Sequence, residues 1–213
     1  FDGAWPHTAI EWRSRQLIEM IRSLQPNILI NNRMSTHDRP DEDGQALGDF
    51  GTPEQQIVPE PGRLWETCQV STWRLWGYTT GERWKSAERM LDMLVEAAAQ
   101  GGNLLLNVGP DADGVLPRPF VERMEQIGDW MNVHGEAIYG TDGGEVFEFV
   151  SYGWQTCRGN NLYLIIRFWD GAPTMRLAGL KTRVRRAVLM GADSELPVEQ
   201  HGDELILRGL PEA

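Results

Sequence analysis

The stretch Asn103-Leu104-Leu105-Leu106-Asn107-Val108-Gly109-Pro110-Asp111-Ala112-Asp113-Gly114 decides the fold class of this chain. Its apolar residues follow one another without alternation, with Gly101-Gly102 before them and a Gly-Pro-Asp turn after them. An uninterrupted apolar run between turn residues is typical of a strand that is buried on both faces, as in a parallel sheet. We therefore predict a buried strand over residues 104–108.

The segments on either side of this strand have the spacing of helices. Apolar residues recur every three or four positions over residues 86–100 and again over residues 117–134. A helix, a buried strand, a polar loop and a second helix make one step of an α/β barrel or a doubly wound sheet. In both architectures the chemistry lies at the carboxyl ends of the strands, so a site is expected among the polar residues after Leu106.

The same alternation extends towards the beginning of the chain. Helical spacing starts at Thr8 and ends before Pro26, and a short buried strand is predicted over residues 27–31. Residues 34–63 have no periodicity, which is typical of a functional or disordered loop. Another strand is predicted over residues 64–68, before a tryptophan-rich segment. This order of elements predicts part of a parallel (β/α) barrel.

After residue 143 the pattern changes to short strands without helices. Strands are predicted over residues 146–150, 162–168, 175–177, 184–190 and 205–207, with turns at 159–161 and 170–171. Regular short strands of this kind are typical of a small antiparallel β-sandwich. We therefore predict an α/β chain in which residues 1–142 form a partial (β/α) barrel and residues 143–213 form the sandwich.

The composition excludes some functions and leaves others open. A net charge of −11 argues against nucleic acid or an anionic membrane as a partner. Cys68 and Cys157 have no metal-type spacing, and the sequence permits a disulfide without indicating one. The chain has 9 tryptophans. Such rings pack in cores, but they also form the stacking walls of sugar sites, because a pyranose presents an apolar C–H face.

Several carboxylates lie in loops or at predicted strand ends, where they could carry chemistry. Glycoside hydrolysis requires a pair of them, one as nucleophile or base and one as proton donor. Asp111 and Asp113 are better explained as turn formers before Gly114. The histidines have no metal-ligand spacing, so no metal or cofactor is predicted. The candidate carboxylates are Asp2, Asp49, Glu54, Glu66, Asp111 and Asp113.

An ordered set of motifs over roughly residues 1–142 resembles the α-L-fucosidases of glycoside hydrolase family 29. Each motif is weak alone, and their order along the chain makes the resemblance specific. The motifs are Phe1-Asp2-Gly3-Ala4-Trp5, Asn31-Asn32-Arg33, Gly48-Asp49-Phe50-Gly51-Thr52-Pro53-Glu54-Gln55, Trp65-Glu66-Thr67-Cys68, Trp76-Gly77-Tyr78, the Gly102–Pro110 stretch and Gly135-Glu136-Ala137-Ile138-Tyr139-Gly140-Thr141.

The resemblance implies a retaining hydrolase built on a (β/α) barrel with a C-terminal β-sandwich, acting on fucosylated glycans without a cofactor. Asp2 matches the family's nucleophile, and Glu54 matches the general acid/base of its Thr-Pro-Glu-Gln form. Arg33 matches an arginine that contacts fucose. Trp65 and Glu66 match a pair near the site. Retention then requires the Asp2 and Glu54 carboxyl groups to lie about 5–5.5 Å apart.

The resemblance also implies barrel strands upstream of Phe1, with histidines and a glutamate that bind the fucose hydroxyls. The exposed sheet edges of a half barrel would be covered by that N-terminal part or by self-association. We expect this chain alone to be inactive on an aryl α-L-fucoside. The alternative interpretation is an inactive or carbohydrate-binding remnant of the same fold.

Overall fold

The computed structural model describes residues 7–34, 47–60, 62–144, 147, 152–192 and 194–212. The chain divides into two units. Unit 1 consists of Phe1–Val70 with Gly102–Asn107, and unit 2 consists of Ser71–Gly101 with Val108–Ala213. Unit 2 therefore contains both the helices around residues 86–134 and the C-terminal strands. The predicted division into a barrel part, 1–142, and a sandwich part, 143–213, stays a prediction.

Unit 1 contains a parallel sheet, as the unbroken apolar run predicted. Its strands are β1 (Phe50–Gly51), β2 (Leu64–Val70) and β3 (Asn103–Asn107), in the order β1-β2-β3. β1 pairs in parallel with β2, and β2 pairs in parallel with β3. The predicted strand over residues 27–31 is reduced to one parallel bridge, between Asn31 and Phe50.

The prediction that the central strand is buried on both faces is wrong for this structure. Leu105 is 49% exposed, and Leu64 on the neighbouring strand is 65% exposed. Cys68 pairs with Leu105, so the register puts Leu105 on the same face of the sheet as Leu64. The described residues of unit 1 leave that apolar face open. Periodicity alone cannot report this, because it records the character of a side chain and not what covers it.

The first helix, α1 (Ser14–Leu24), begins six residues after the predicted start at Thr8 (14 − 8 = 6). Thr8 and Glu11 do form a reciprocal pair. The Thr8 backbone N–H donates to the Glu11 carboxylate, and the Glu11 N–H donates to Thr8 Oγ1. However, Arg13 adopts a left-handed φ of 51°, which separates this turn from the helix. α1 then packs its Leu17, Ile18 and Ile21 against a small core of Ile30, Met34 and Leu47.

Unit 2 contains the two helices that the sequence predicted around the central strand. In α2 (Ala87–Ala99) the side chain of Ser86 caps the first turn by accepting from the Arg89 N–H. The helix ends before Gly101, which has a φ of +77°. α3 (Arg118–His134) runs into a short 3₁₀ helix, Gly135–Ala137. Both helices are therefore confirmed.

The remaining strands of unit 2 all pair antiparallel, which confirms the predicted antiparallel character. The strands are β4 (Asp142–Gly143), β5 (Gly153–Arg158), β6 (Asn161–Ile166), β7 (Thr174–Leu177), β8 (Ala187–Leu189), β9 (Ser194–Leu196), β10 (Val198–His201) and β11 (Glu204–Arg208). They form sheets in the orders β4-β5-β6, β10-β11-β7 and β8-β9.

The core of these strands contains Phe147, Met175, Leu177, Leu205 and Leu207. The predicted strand at 146–150 lies outside the described residues except for Phe147. The sandwich arrangement itself stays a prediction.

Two further observations concern the cysteines and the helices. Neither Cys68 nor Cys157 forms a disulfide. Burial, helped by the charge of Asp142, raises the pKa of the Cys157 thiol. Within the described part of the chain, no helix has the length and apolar character needed to cross a bilayer.

Candidate active site

Glu54, the predicted general acid/base, lies three residues beyond the carboxyl end of β1 and beside Cys68 of β2. Beyond β1 the chain continues along β2: the Cys68 N–H donates to Pro53 O and the Gln55 N–H donates to Cys68 O, both at 2.9 Å. Glu54 itself forms a parallel bridge with Cys68. The backbone is thus fixed on both sides of Glu54, and its side chain is left 39% exposed. A carboxyl group in this position is anchored but accessible.

Arg33, the second predicted site residue, meets Glu54 directly. Its Nη2 donates to Glu54 Oε2 at 2.7 Å, and its Nε donates to Thr52 Oγ1 at 2.9 Å. Thr52 Oγ1 donates in turn to Asn32 Oδ1 at 2.7 Å. Two of the sequence motifs, Asn31-Asn32-Arg33 and the Gly48–Gln55 stretch, therefore come together in one hydrogen-bonded cluster.

Asp49 holds the end of the segment that carries Arg33. Its Oδ2 accepts from the Ile30 N–H at 2.8 Å, and its Oδ1 accepts from Arg22 Nη2 at 2.6 Å. Burial works to raise the pKa of Asp49, but these hydrogen bonds and the nearby guanidinium groups outweigh it and hold the pKa below its ordinary value. Asp49, one of the candidate carboxylates, is therefore a structural anchor in this unit.

Gly48 explains why this motif begins with glycine. Its φ is +82°, and a Cβ there would lie 2.3 Å from the carbonyl oxygen of Asn31. Any other residue would clash with the backbone that leads to Arg33. At Gly51 a Cβ would meet only the carboxylate of Glu60, the end of a flexible side chain, so the requirement for glycine is stronger at Gly48. The glycines of the motif allow close packing beside the site and need no catalytic explanation.

Trp65 and Glu66 lie on opposite faces of β2. Trp65 is 3% exposed, with its ring against Gly102. Glu66 is half-buried, and the register puts it on the face shared by Cys68 and, through the Cys68 bridge, by Glu54. Glu66 is thus on the side of the sheet where the candidate site lies, and Trp65 is part of the packing behind it. Their substrate-binding roles stay predictions.

Asp2, the predicted nucleophile, lies outside the described residues. The separation of the Asp2 and Glu54 carboxyl groups, on which the predicted mechanism depends, is therefore not fixed by the described geometry.

Asp111 and Asp113 belong to a turn in unit 2, as predicted. Asp111 Oδ1 accepts from the Asp113 N–H at 3.0 Å and from the Val115 N–H at 2.8 Å. Gly114 follows with a φ of +80°. These contacts account for the Asp111 carboxylate through turn geometry, and Asp113 takes part in the turn through its backbone N–H. Within the described ranges, no group of three or more His, Cys, Asp or Glu side chains could hold a metal ion.

An aromatic segment of unit 2 adds residues that the sequence analysis did not single out. Trp73, from the tryptophan-rich stretch, is 52% exposed and has the cations of Arg83 and Lys85 each 5.8 Å from its ring centroid. Lys85 is buried, donates to Thr72 O at 2.7 Å, and has its pKa lowered by burial and by Arg89. Lys85 lies 13 residues from Thr72 in sequence, and no motif connects the two positions.

Comparison with known families gives one match over more than half of the chain. Residues 1–136 match the model of the family described as alpha-L-fucosidase. The tissue alpha-L-fucosidase of Bos taurus is 26% identical over 202 residues, covering 92% of this chain and 42% of that protein. The alpha-L-fucosidase of Dictyostelium discoideum is 27% identical over 209 residues, covering 93% of this chain and 44% of its own length. The chain thus spans less than half the length of these relatives.

Solved structures agree with the sequence comparison. Alpha-L-fucosidase isoenzyme 1 from Paenibacillus thiaminolyticus superposes with a TM-score of 0.84 at 33% identity, over 97% of this chain and 51% of that one. A GH29 alpha-L-fucosidase from Bacteroides thetaiotaomicron, trapped as a covalent intermediate with 2-fluoro-fucosyl fluoride, superposes with a TM-score of 0.82 at 26% identity, over 95% of this chain and 50% of that one.

Proposed function

The chain belongs to the alpha-L-fucosidase family, and on that premise we propose that the protein containing it is a retaining α-L-fucosidase that removes terminal α-L-fucosyl groups from glycans. Asp2 is the proposed nucleophile and Glu54 the proposed general acid/base. Arg33, Trp65 and Glu66 are the proposed substrate-binding residues. The observation that carries the proposal is Glu54 itself, anchored beyond the carboxyl end of β1 beside Cys68 and hydrogen-bonded to Arg33.

The proposed reaction has two steps. In the first, the Asp2 carboxylate attacks the anomeric carbon while the bond to the leaving oxygen breaks, and Glu54 gives its proton to that oxygen. The product is a fucosyl ester of Asp2. In the second, the Glu54 carboxylate takes a proton from a water molecule whose oxygen attacks the same carbon. Asp2 is released, and the two inversions leave the configuration of the sugar unchanged.

Arg33 contacts Glu54 directly in this proposal. Glu54 Oε2 accepts a hydrogen bond from the guanidinium at 2.7 Å, and a carboxyl oxygen can accept whether the group is protonated or ionised. In the proposed reaction Glu54 gives a proton to the leaving oxygen and later takes one from water, so the same contact with Arg33 serves both steps.

Two structural neighbours support a fucosyl substrate. One is the Bacteroides thetaiotaomicron enzyme trapped with 2-fluoro-fucosyl fluoride, and another is a bacterial fucosidase bound to a monovalent iminocyclitol inhibitor. We extend the proposal to the architecture: residues 1–142 belong to a (β/α) barrel and residues 143–213 to a β-sandwich. The remaining barrel strands, or a second copy of the chain, would cover the exposed face around Leu64 and Leu105.

The test is covalent trapping on the intact protein that carries this sequence. Treatment with 2-fluoro-fucosyl fluoride should add one fluorofucosyl group to the peptide that contains Asp2, detected by mass spectrometry. Asp2→Ala should abolish both the label and turnover without unfolding the protein. Asp129→Ala, on the exposed side of α3, is the matched control and should label like the native protein.

Two outcomes would contradict the proposal. A label on a different carboxylate would show that Asp2 is not the nucleophile. Fucose binding without label or turnover in the intact protein would favour the inactive, carbohydrate-binding alternative.

A further inference from the structure

Three consecutive hydrogen bonds connect Glu54 to a buried amide. Glu54 accepts from Arg33 Nη2, Arg33 Nε donates to Thr52 Oγ1, and Thr52 Oγ1 donates to Asn32 Oδ1, with lengths of 2.7, 2.9 and 2.7 Å. A hydroxyl has one proton, so donation to Asn32 leaves only its lone pairs to face Arg33. Asn32 is 4% exposed and cannot reorient freely. The buried Asn32 amide therefore determines that the Thr52 hydroxyl donates to Asn32 and accepts from Arg33.

We propose that Thr52 and Asn32 are positioning residues, which orient the Arg33 guanidinium and through it aim the Glu54 carboxyl group. This proposal rests on the assignment of Glu54 as general acid/base. Neither residue touches the substrate in this proposal. Their role is to hold Arg33 in one plane, since contacts at both Nε and Nη2 fix the orientation of a planar guanidinium group.

The exposure of the pair shows why such support is needed. The Arg33 and Glu54 side chains are 24% and 39% exposed. An ion pair at such a surface is weak by itself, because solvent screens it and two long side chains lose freedom to form it. The Thr52 hydroxyl supplies a second, neutral contact from a residue that is fixed by the backbone beside β2. The carboxyl group then keeps one direction between the acid and base steps.

A positioning role can be distinguished from a merely structural one by comparing substrates with different leaving groups. A poor leaving group, such as a sugar hydroxyl, needs the proton of the general acid, whereas an activated aryl oxygen leaves without it. Misaimed Glu54 should therefore lower kcat/KM for a fucosyl oligosaccharide and spare kcat/KM for a 2,4-dinitrophenyl fucoside, because kcat/KM reports the steps up to formation of the fucosyl ester. A loosened fold would slow both substrates equally.

The experiment compares Thr52→Val with Thr52→Ser in the intact protein. Thr52→Val keeps the shape and removes the hydroxyl. We expect it to lower kcat/KM on a fucosyl oligosaccharide by about 10-fold or more, mainly through kcat, as a displacement of catalytic groups does. On the dinitrophenyl fucoside we expect kcat/KM to fall by no more than about 2-fold, because its leaving group departs without a proton from Glu54 in the first step. Thr52→Ser restores the hydroxyl and should recover the oligosaccharide rate. Thr182→Val makes the same change in an exposed loop and should change neither.

Glu54→Gln separates failure of this proposal from failure of the proposed function. If Glu54→Gln shows the leaving-group-dependent loss and Thr52→Val does not, the positioning role is wrong and the function stands. Equal losses on both substrates for Thr52→Val would also overturn the positioning role. If Glu54→Gln affects both substrates equally, or neither, the assignment of Glu54 is wrong, and the positioning proposal fails with it.

Discussion

Gly102 lies directly against the buried indole of Trp65 and immediately precedes β3 in the sequence. A Cβ on Gly102 would come within 2.3 Å of Trp65 Cε2, and Trp65 is 3% exposed. Glycine is therefore required there by the packing of an aromatic ring. The second glycine of Gly101-Gly102, which in the sequence is only a helix stop, makes room for the core of unit 1.

We predict that Gly102→Ala destabilises the protein because the added methyl group overlaps a ring that cannot move without opening the core. The expected loss is about 1–3 kcal/mol, the usual range for overpacking. Chemical denaturation followed by tryptophan fluorescence measures it, and the Trp65 signal should change in the folded state.

Gly128→Ala is the matched control for this prediction. Gly128 lies within α3, and a Cβ there would meet no atom within 4 Å. Alanine should stabilise that helix by about 0.5–1 kcal/mol, since it restricts the unfolded chain more than glycine does. A Gly102→Ala protein as stable as the native one would show that the ring has room to shift.

Elements with a complete local signal were predictable from the sequence. The α2 helix has an N-cap serine, apolar periodicity and a terminal glycine, and each of these holds in the structure. The α1 helix shows where local signals fail. Thr8 and Glu11 form a capping pair, yet the left-handed Arg13 delays the helix to Ser14. A turn followed by a helix has the same sequence signature as one longer helix.

The candidate site was predictable only as a set of residues and not as a set of contacts. Family resemblance singled out Arg33 and Glu54, and the structure joins them. Thr52 and Asn32 belong to the quoted motifs, but the sequence assigned them no role. Threonine and asparagine are common in loops, and only the structure shows which groups they bond. Trp65 and Glu66 were matched to a pair near the site, and the strand register places their side chains on opposite faces of β2, so that the role of Trp65 stays a prediction.

We predict that the stabilisation provided by Asp49 depends on pH. Its pKa is lowered in the folded state, so its contribution is present above the unfolded value of about 3.9 and disappears as the pH falls through the folded value. Asp49→Asn should therefore lower the free energy of unfolding by about 1–2 kcal/mol at neutral pH, through loss of the charge-assisted bonds to Ile30 and Arg22. Urea unfolding of both proteins over a series of pH values measures this.

The difference between the native protein and Asp49→Asn should shrink steadily as the solution is acidified below about pH 4. Asp129→Asn, on the exposed side of α3, should show no such trend. A difference that stays constant from neutral to acid pH would mean that Asp49 acts through shape and not through its charge.

We predict the opposite trend for Asp92 in unit 2, which forms an ion pair with Arg167. Burial raises the pKa of Asp92 and outweighs the opposing effects of Arg167 and Arg89. The contribution of Asp92 is thus present below its unfolded pKa and is lost as the pH rises through the folded value. Arg167 stabilises the ionised form of Asp92 and so limits this loss of stability at higher pH. Arg167→Met removes that effect. It should lower Tm at neutral pH, where Asp92 is ionised, and lower it much less in acid.

Asp92→Asn and the double variant test whether the unpaired charge is the cause. Arg167→Met should cost about 1–2 kcal/mol at neutral pH, because it leaves a half-buried carboxylate without its hydrogen-bonded counter-ion. Adding Asp92→Asn to Arg167→Met removes that charge and should recover part of the loss. Arg118→Met breaks the exposed pair with Glu122 and should leave Tm unchanged, since solvent already screens that pair. If the double variant is no more stable than Arg167→Met alone, the loss comes from the packing of the arginine side chain over Phe168 and not from the stranded charge.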